Sequence, residues 1–454
     1  MKKFAFVAFV AVLVFMFSAP AMAIDNIFGG YWRTRAYTQM DFSGNDDHDC
    51  STDLSQVDTR TRLYYTAKFS DKFSFVNKFE MDATWGATDG AKTTSGDHTT
   101  PGYLNANDTS GYGDIGADGI KVEVKNSYAD FTVGPMNFKV GVQYHVFARG
   151  FVFADDAAAA VVTYKGDGIT VPFTWIKAFE GGMGYNTDYG QDDENNDFDV
   201  DYYAIAPSFN LGGVAIKPMV MYVTSKDARH WDATRKISSG WAYGDFDLWF
   251  IGVDIDAKLG PAKTWFTGVY ETGAANTWHV MPLYDMGDTD FGAYLLAAGA
   301  SAPVGPVEVH GQIFTASGDD NNDADFDAFW VPAGQSYYWA EIMGLGVFDN
   351  QKSAHACGDK ISNITAINAG VIFKATPQLT FTGDLWFAKL NEDDSNGETN
   401  LGTEVDLKAT YKIMDNLSID VIAAYLFAGD ATYKEGSCEQ ENPYEIGTQL
   451  SLSF

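Results

Sequence analysis

The chain has 454 residues, 15% of them aromatic and 45 of them glycine, with 61 acidic against 30 basic side chains and a formal net charge of −31. That balance excludes nucleic acid as a partner, because phosphate binding needs a basic footprint. Three cysteines without Cys-x-x-Cys or Cys/His ligand spacing give no support to a zinc site or covalent haem, and no cofactor is expected.

The first element is Lys2-Lys3, an apolar run from Phe4 to Phe17, then Ser18-Ala19-Pro20 and Ala21-Met22-Ala23. A charged start, a short apolar centre and a small-x-small ending describe a secretory signal peptide, residues 1–23, cleaved after Ala23. The run is shorter than the ~18 residues a spanning helix needs, and no other run approaches that length. No cysteine follows the cleavage site, so a lipid anchor is not expected. Residues 24–454 are expected to leave the cytoplasm as a single unit.

From Ile24 onward one grammar repeats: an alternating run, a tight turn, another alternating run, a longer polar segment. In 56–69, Val57, Thr59, Thr61, Leu63, Tyr65, Ala67 and Phe69 share one face, opposite Gln56, Asp58, Arg60, Arg62, Tyr64, Thr66 and Lys68. In 73–85, Phe73, Phe75, Phe79, Met81, Ala83 and Trp85 oppose Ser74, Lys78, Glu80, Asp82 and Thr84. Successive strand side chains point to opposite faces, so these are strands with one greasy and one wet surface.

Tight turns fall at Ser70-Asp71-Lys72, Gly134-Pro135-Met136-Asn137, Gly166-Asp167-Gly168, Leu211-Gly212-Gly213, Gly260-Pro261, Pro303-Val304-Gly305-Pro306, Thr376-Pro377 and Asp415-Asn416. Their Gly, Pro, Asn and Asp supply the backbone angles of short hairpins. Long segments lie near 41–55, 86–118, 149–157, 182–197, 227–244, 273–289, 318–361, 391–400 and 429–443. Strict alternation of the two kinds predicts an all-β chain of about eighteen antiparallel strands, sixteen being acceptable, with every long loop at one end. Closing such strands into a transmembrane β-barrel satisfies every backbone group, the only way a sheet can sit in lipid. An interior that wide is expected to hold water. The chain ends in Tyr444-Glu-Ile-Gly-Thr-Gln-Leu-Ser-Leu-Ser-Phe454, whose greasy face carries Tyr444, Ile446, Thr448, Leu450, Leu452 and Phe454.

An alternating terminal strand closed by Phe454 resembles the signal with which outer-membrane barrels address their insertion machinery. The chain as a whole resembles a bacterial porin of the trimeric general-diffusion kind. The stretch Val122-Glu-Val-Lys-Asn-Ser-Tyr-Ala-Asp-Phe131, turning through Gly134-Pro135 into Lys139-Val-Gly-Val-Gln143, is similar to porins of sulfate- and metal-reducing bacteria. The resemblance covers the architecture of residues 24–454 and rests on no diagnostic motif. It implies location in the outer membrane of a Gram-negative bacterium, contact with lipid and lipopolysaccharide, a homotrimer, and passive passage of small hydrophilic solutes and ions.

Five of the seven arginines precede residue 150. Arg33 and Arg35 share the wet face of the first strand, Arg60 and Arg62 that of its hairpin partner, with Arg149 further on. Four guanidiniums on adjacent strands would form a basic ladder, which trimeric porins set against acidic groups on an inward-folded loop to create a field across the constriction. The alternative is lumen arginines paired with Asp58, Glu80 or Asp82. In such porins the third external loop narrows the pore, here 149–157 around Asp155 and Asp156. The 318–361 segment competes for that role, because Phe329-Trp-Val-Pro332 and Tyr337-Tyr-Trp-Ala-Glu-Ile-Met-Gly-Leu345 are too apolar to hang in water. It is expected to fold into the lumen, pack on the rim or meet a neighbouring subunit.

Asp319, Asn321, Asp323, Asp325 and Asp327 alternate like a calcium loop, but Ala324 replaces its glycine and no glutamate closes it, so a solvated acidic loop is the reading and no metal is expected. Cys50, Cys357 and Cys438 all fall in long loops on the oxidising face. Barrel closure makes 41–55 and 429–443 neighbours, which favours a Cys50–Cys438 disulfide over Cys357–Cys438. Nothing resembles GxSxG or HExxH, and no enzyme is expected. Two other classes stay open: a substrate-selective channel, for instance for sugars, and a sleeve around a periplasmic electron-transfer cytochrome.

Overall fold

The computed structural model describes residues 24–42, 44, 53–87, 111–113, 120, 122–180, 199–226, 241–280, 283–320, 325–351, 353, 360–394, 396–432 and 440–454. The proposed leader 1–23 and all three cysteines, with the Cys50–Cys438 pairing, lie outside these residues.

The hairpins follow in order. They are β1 (Asp25–Met40), β2 (Leu54–Ser70) and β3 (Phe73–Trp85), a three-residue β4 (Gly111–Gly113), then β5 (Glu123–Val133), β6 (Met136–Phe147), β7 (Phe153–Lys165) and β8 (Ile169–Phe179). Next come β9 (Val200–Ile205), β10 (Ser208–Leu211), β11 (Val214–Ser225), β12 (Trp241–Leu259), β13 (Ala262–Val280), β14 (Leu283–Val304) and β15 (Val307–Ala316). The last are β16 (Ile364–Lys374), β17 (Leu379–Leu390), β18 (Asn400–Met414), β19 (Leu417–Ala428) and β20 (Tyr444–Ser453). Strands β9 and β10 both run between β8 and β11 and are one stave, broken at Ala206-Pro207. Proline has no N–H to give the ladder there. The small β4 lies parallel beside β3 and adds no stave. Eighteen antiparallel staves remain, as the turn grammar predicts.

The sheet closes on itself. β1 pairs with β2 on one side and with β20 on the other, from Tyr31–Ser453 to Met40–Tyr444. Beyond the last ladder rung, Gly30 N–H donates to Phe454 O at 2.8 Å and Phe454 N–H returns a bond to Gly30 O at 3.1 Å. A Cβ at residue 30 would lie 2.7 Å from Arg62 O and run into the Phe454 ring, so only glycine lets the terminal aromatic seal the seam. Tyr444, Ile446 and Phe454 are exposed on the outer face, with Leu450 and Leu452 half-buried on the same face, while Glu445 is buried inside.

All eight tight turns form at one end. Five of them place glycine at positive φ: Gly134, Gly168, Gly212, Gly260 and Gly305. Two long segments differ from expectation. Most of 273–289 is strand, since β13 runs to Val280 and β14 starts at Leu283. The 149–157 segment shrinks to a single 3₁₀ turn, Ala148–Gly150, and Asp155 and Asp156 sit within β7 opposite His145 and Tyr144.

The exterior carries aromatic girdles. Trp175, Tyr203, Tyr222 and Trp249 are consecutive rungs across β8, β9, β11 and β12. Toward the short-turn end, Phe69–Phe73 and Phe131–Phe138 stack at 4.8 and 5.1 Å, and Phe373, Phe381 and Tyr411 are exposed at the same end of β16, β17 and β18. Aromatic belts flanking an apolar band suit the two interfaces of a bilayer.

The interior overturns one expectation. Facing inward on the long-loop half are Leu248, Phe250, Leu295, Phe314, Ile364 and Trp386, all buried in one apolar cluster with Phe329, Ile342 and Met343 of the 317–363 segment. This part of the lumen is therefore a packed core. The signal was present in Phe246-Asp-Leu-Trp-Phe-Ile251, where apolar residues occupy both strand faces, as they do when a strand is covered on both sides.

Candidate functional site: a loop-filled constriction in the lumen

The 317–363 segment leaves β15, crosses the barrel and returns to β16. Phe326 bridges to Phe291 of β14, and its N–H donates to Asp290 O at 2.8 Å. Phe329 meets Phe250 edge-on, and Trp330 N–H donates to Glu271 Oε2 of β13 at 2.8 Å. Further along, Gly334 O accepts from Ala154 N–H at 2.8 Å, and Tyr337 stacks on Phe151 at 3.7 Å while its hydroxyl donates to Gln312. Trp339 wedges between Phe314 and Trp386. The amides of Ile342 and Met343 donate to the two oxygens of Glu404 on β18, at 2.7 and 2.9 Å. Finally Phe348 stacks on Tyr37 of β1, rings 4.6 Å apart and nearly parallel at 9°.

Two forces hold it. Full burial of Phe329, Ile342 and Phe348 removes their apolar surface from water, about 1.5–3 kcal/mol each. Buried carboxylates of the wall then satisfy loop N–H groups that would otherwise be stranded in a dry interior. Tyr37, Gln39, Glu271, Glu404 and Glu445 were not singled out from the sequence. Tyr37 and Gln39 continue the Arg33–Arg35 face, Glu404 and Glu445 continue the wet faces of their strands, and Glu271 stands next to buried Val269 on the inward face of β13.

The four arginines do come together, and carboxylates interleave them. Ladder rungs align Arg33 with Arg60 and Asp82, Arg35 with Asp58, and Arg62 with Glu80. Arg35 grips Asp58 through Nε at 2.9 Å and Nη2 at 2.7 Å, and spends its other edge on Val347 O at 2.6 Å and on Asp349. Arg60 holds Asp82 through Nε at 2.7 Å, and Arg62 pairs with Glu80. Arg33 faces Asp349 at 3.7 Å. Four guanidiniums thus meet four carboxylates, so the wall is electrically balanced and acts as the anchor for the loop tip. Three of these partners, Asp58, Glu80 and Asp82, are the ones that the alternative reading of the sequence names, and Asp349 adds an acid from the inward-folded segment. Four lumen ammoniums, Lys78, Lys217, Lys263 and Lys408, have no carboxylate within ion-pair distance among the described residues.

Asp349 gives this anchor a pH signature. Burial pushes its carboxyl up, but Arg35 and Arg33 outweigh that and hold it below the usual range. A depressed folded-state value contributes stability above the unfolded value, ~3.9, that is lost as pH falls through the lower folded value. Glu341, raised by burial despite the Val347 N–H that it accepts, has the opposite sign and does not weaken docking on acidification. Pepsin should therefore spare Phe329–Leu345 at pH about 4 and cut it only in stronger acid. Cleavage there at both acidities would show that Asp349 does not hold the loop.

Arg149, Asp155 and Asp156 lie elsewhere. Arg149 projects from the 3₁₀ turn toward β12 and β13, pairing with Asp256 at 2.7 Å. Asp156 accepts from Asn126 at 2.7 Å beside Lys125, on the rim of a 360 Å³ cavity lined also by Arg62, Lys78 and Asp155. The inward element is therefore double: the 3₁₀ turn after β6 and the long segment after β15 meet at Phe151–Tyr337 and at Ser336 N–H to Gly150 O, 3.3 Å.

No protein-family model matches this sequence, and no curated protein matches it either. Solved structures do match the fold. A BenF-like porin from Pseudomonas fluorescens Pf-5 superposes with a TM-score of 0.57 at 12% identity, covering 95% of this chain and 99% of that one. The outer-membrane protein OpdK of Pseudomonas aeruginosa, solved with vanillate, gives 0.53 at 11%, covering 94% and 98%. OccK2 (OpdF) of the same species, solved with glucuronate, gives 0.54 at 10%, covering 94% and 98%. At such identities the likeness establishes the fold, an eighteen-stranded porin barrel spanning the whole described chain.

Proposed function

We propose that this barrel sits in the outer membrane of a Gram-negative bacterium and passes small hydrophilic solutes passively, selecting among them at the loop-filled constriction. One observation carries the reading. A closed barrel with a greasy, aromatic-girdled exterior has its lumen narrowed by a segment clamped to opposite walls, leaving cavities of 720, 700 and 360 Å³. Selective passage fits better than general diffusion, because an apolar core occupies much of the cross-section. The solutes favoured are small anions. Lys78, Lys217, Lys263 and Lys408 line those cavities without an ion-pair partner among the described residues, while Asp130, Asp156, Asp254, Asp256 and Asp384 of the same linings are each held by a basic side chain. Vanillate and glucuronate, present in two structural neighbours, are both carboxylates.

Planar-bilayer recording tests both parts. The barrel should conduct in discrete steps, and replacing the four lysines together with glutamine should move the reversal potential in a salt gradient toward that of the cation, since removing fixed positive charge lowers the local anion concentration. A silent bilayer with verified insertion rejects the channel. An unmoved reversal potential rejects the anion preference alone.

A further inference from the structure

The turn between β6 and β7 is strained. Ala148 and Arg149 both lie in the left-handed region, at φ +48° and +56°, where side chains crowd the backbone, and only Gly150 at +97° is suited to it. Strain of this kind persists only where surroundings over-determine it, and it collects at functional positions. Here the surroundings are clear. Phe147, Ala148, Phe151 and Val152 are buried, so the turn points into the barrel, and the Arg149 side chain reaches across to the β12–β13 wall. Its Nη2 lies 2.7 Å from Asp256 Oδ1, its Nε donates to Thr267 Oγ1 at 3.1 Å, Asp254 Oδ1 is 3.7 Å away, and the guanidinium stands 5.1 Å over the Trp265 ring.

Asp256 and Trp265 line the 720 Å³ cavity, with Lys263, His310 and Lys408. Asp254 and Ala148 line the 700 Å³ cavity, with Lys139, His145 and Lys217. Arg149 has an acidic partner in each. We propose that Arg149 is a specificity-determining strut, spanning the lumen on the boundary between the two cavities and setting the size of solute that passes. Its own exposure supports a role in passage over one in stability. The Arg149 side chain is 26% exposed and Asp256 43%, and ion pairs so wetted contribute little to folding while standing in the path of a solute.

The proposal rests on the channel reading above, and its test separates the two. Arg149→Gln removes the strut and Asp256→Ala its shortest anchor, and the two change the lumen charge in opposite senses. Both should raise single-channel conductance, Arg149→Gln by more than Asp256→Ala, and both should admit larger sugars in liposome swelling. Their reversal potentials should move in opposite directions. Hydrogen exchange of the 147–153 amides should quicken in both variants, a readout that needs no conduction. Conductance that follows charge, rising in one variant and falling in the other, overturns the strut, as does exchange unchanged in both. A wild type that inserts without conducting rejects the channel reading instead, and exchange then decides whether Arg149 holds the turn.

Discussion

Excising residues 320–360 and joining Asp319 to Ile361 through a short glycine-serine link is expected to raise single-channel conductance severalfold and to abolish discrimination between solutes. The staves on either side stay paired, Ala316 with Ile364 through Val307 with Phe373, so the barrel wall survives the deletion. What goes is the element that meets β13, β15, β18 and β1 across the lumen. The same deletion bares Phe246, Phe250, Phe314 and Trp386, inner-wall side chains that pack on Trp330, Phe329, Tyr337 and Trp339. Each such exposure costs about 1.5–3 kcal/mol, so the shortened barrel should also unfold at lower denaturant. The two readouts are independent. Unchanged conductance in a correctly inserted barrel would mean that the solute path does not run past this segment, whatever happens to stability.

Replacing Arg35 with leucine is expected to destabilise the docked loop by about 3–5 kcal/mol, the range for removing one member of a buried ion pair. Asp58 and Asp349 lose the guanidinium they share, and Val347 O loses its donor. Arg35 itself is 6% exposed, so water cannot take its place. Lysine at this position should recover only part of the loss, since one ammonium cannot grip Asp58 by two nitrogens and reach the loop with a third. Adding Asp58→Asn and Asp349→Asn to the leucine variant should restore much of the docking by removing the stranded charges. Pepsin susceptibility of Phe329–Leu345 at pH about 4 measures each step. A loss under about 1 kcal/mol, the value of a solvated pair, would show that water reaches this wall and that the loop is held from its other contacts.

These results divide sharply into what local chemistry announces and what it does not. The period-two alternation of 56–69 and 73–85, the glycines and prolines of the eight tight turns, and the greasy face ending at Phe454 specify a closed antiparallel barrel. Each is a property of a few consecutive residues. The clustering of Arg33, Arg35, Arg60 and Arg62 was legible for the same reason, since a hairpin brings near neighbours in sequence together. Their electrical state was legible in part: Asp58, Glu80 and Asp82 lie on the same or the adjoining hairpin strands, whereas the fourth carboxylate, Asp349, more than three hundred residues from Arg35, arrives inside a folded loop. The apolar composition of 329–345 announces that this segment must be covered, while three destinations compete to cover it. Only the inward-facing apolar patches on β12, β14, β15 and β17 choose the lumen.

By itself, then, the sequence determined the barrel, its strand number to within one hairpin, the end at which its long segments gather and which face of each strand points outward, because alternation and turn chemistry act within a hairpin. The tertiary structure decided what fills that barrel. It turned Asp155 and Asp156 from a supposed loop tip into wall residues, sent Arg149 across to Asp256, and converted a basic ladder into a neutral anchor. The first comes from the β6–β7 ladder, and the other two rest on contacts across the lumen. Burial there rewards whichever distant side chains match in shape and charge, and sequence spacing carries no record of which they are.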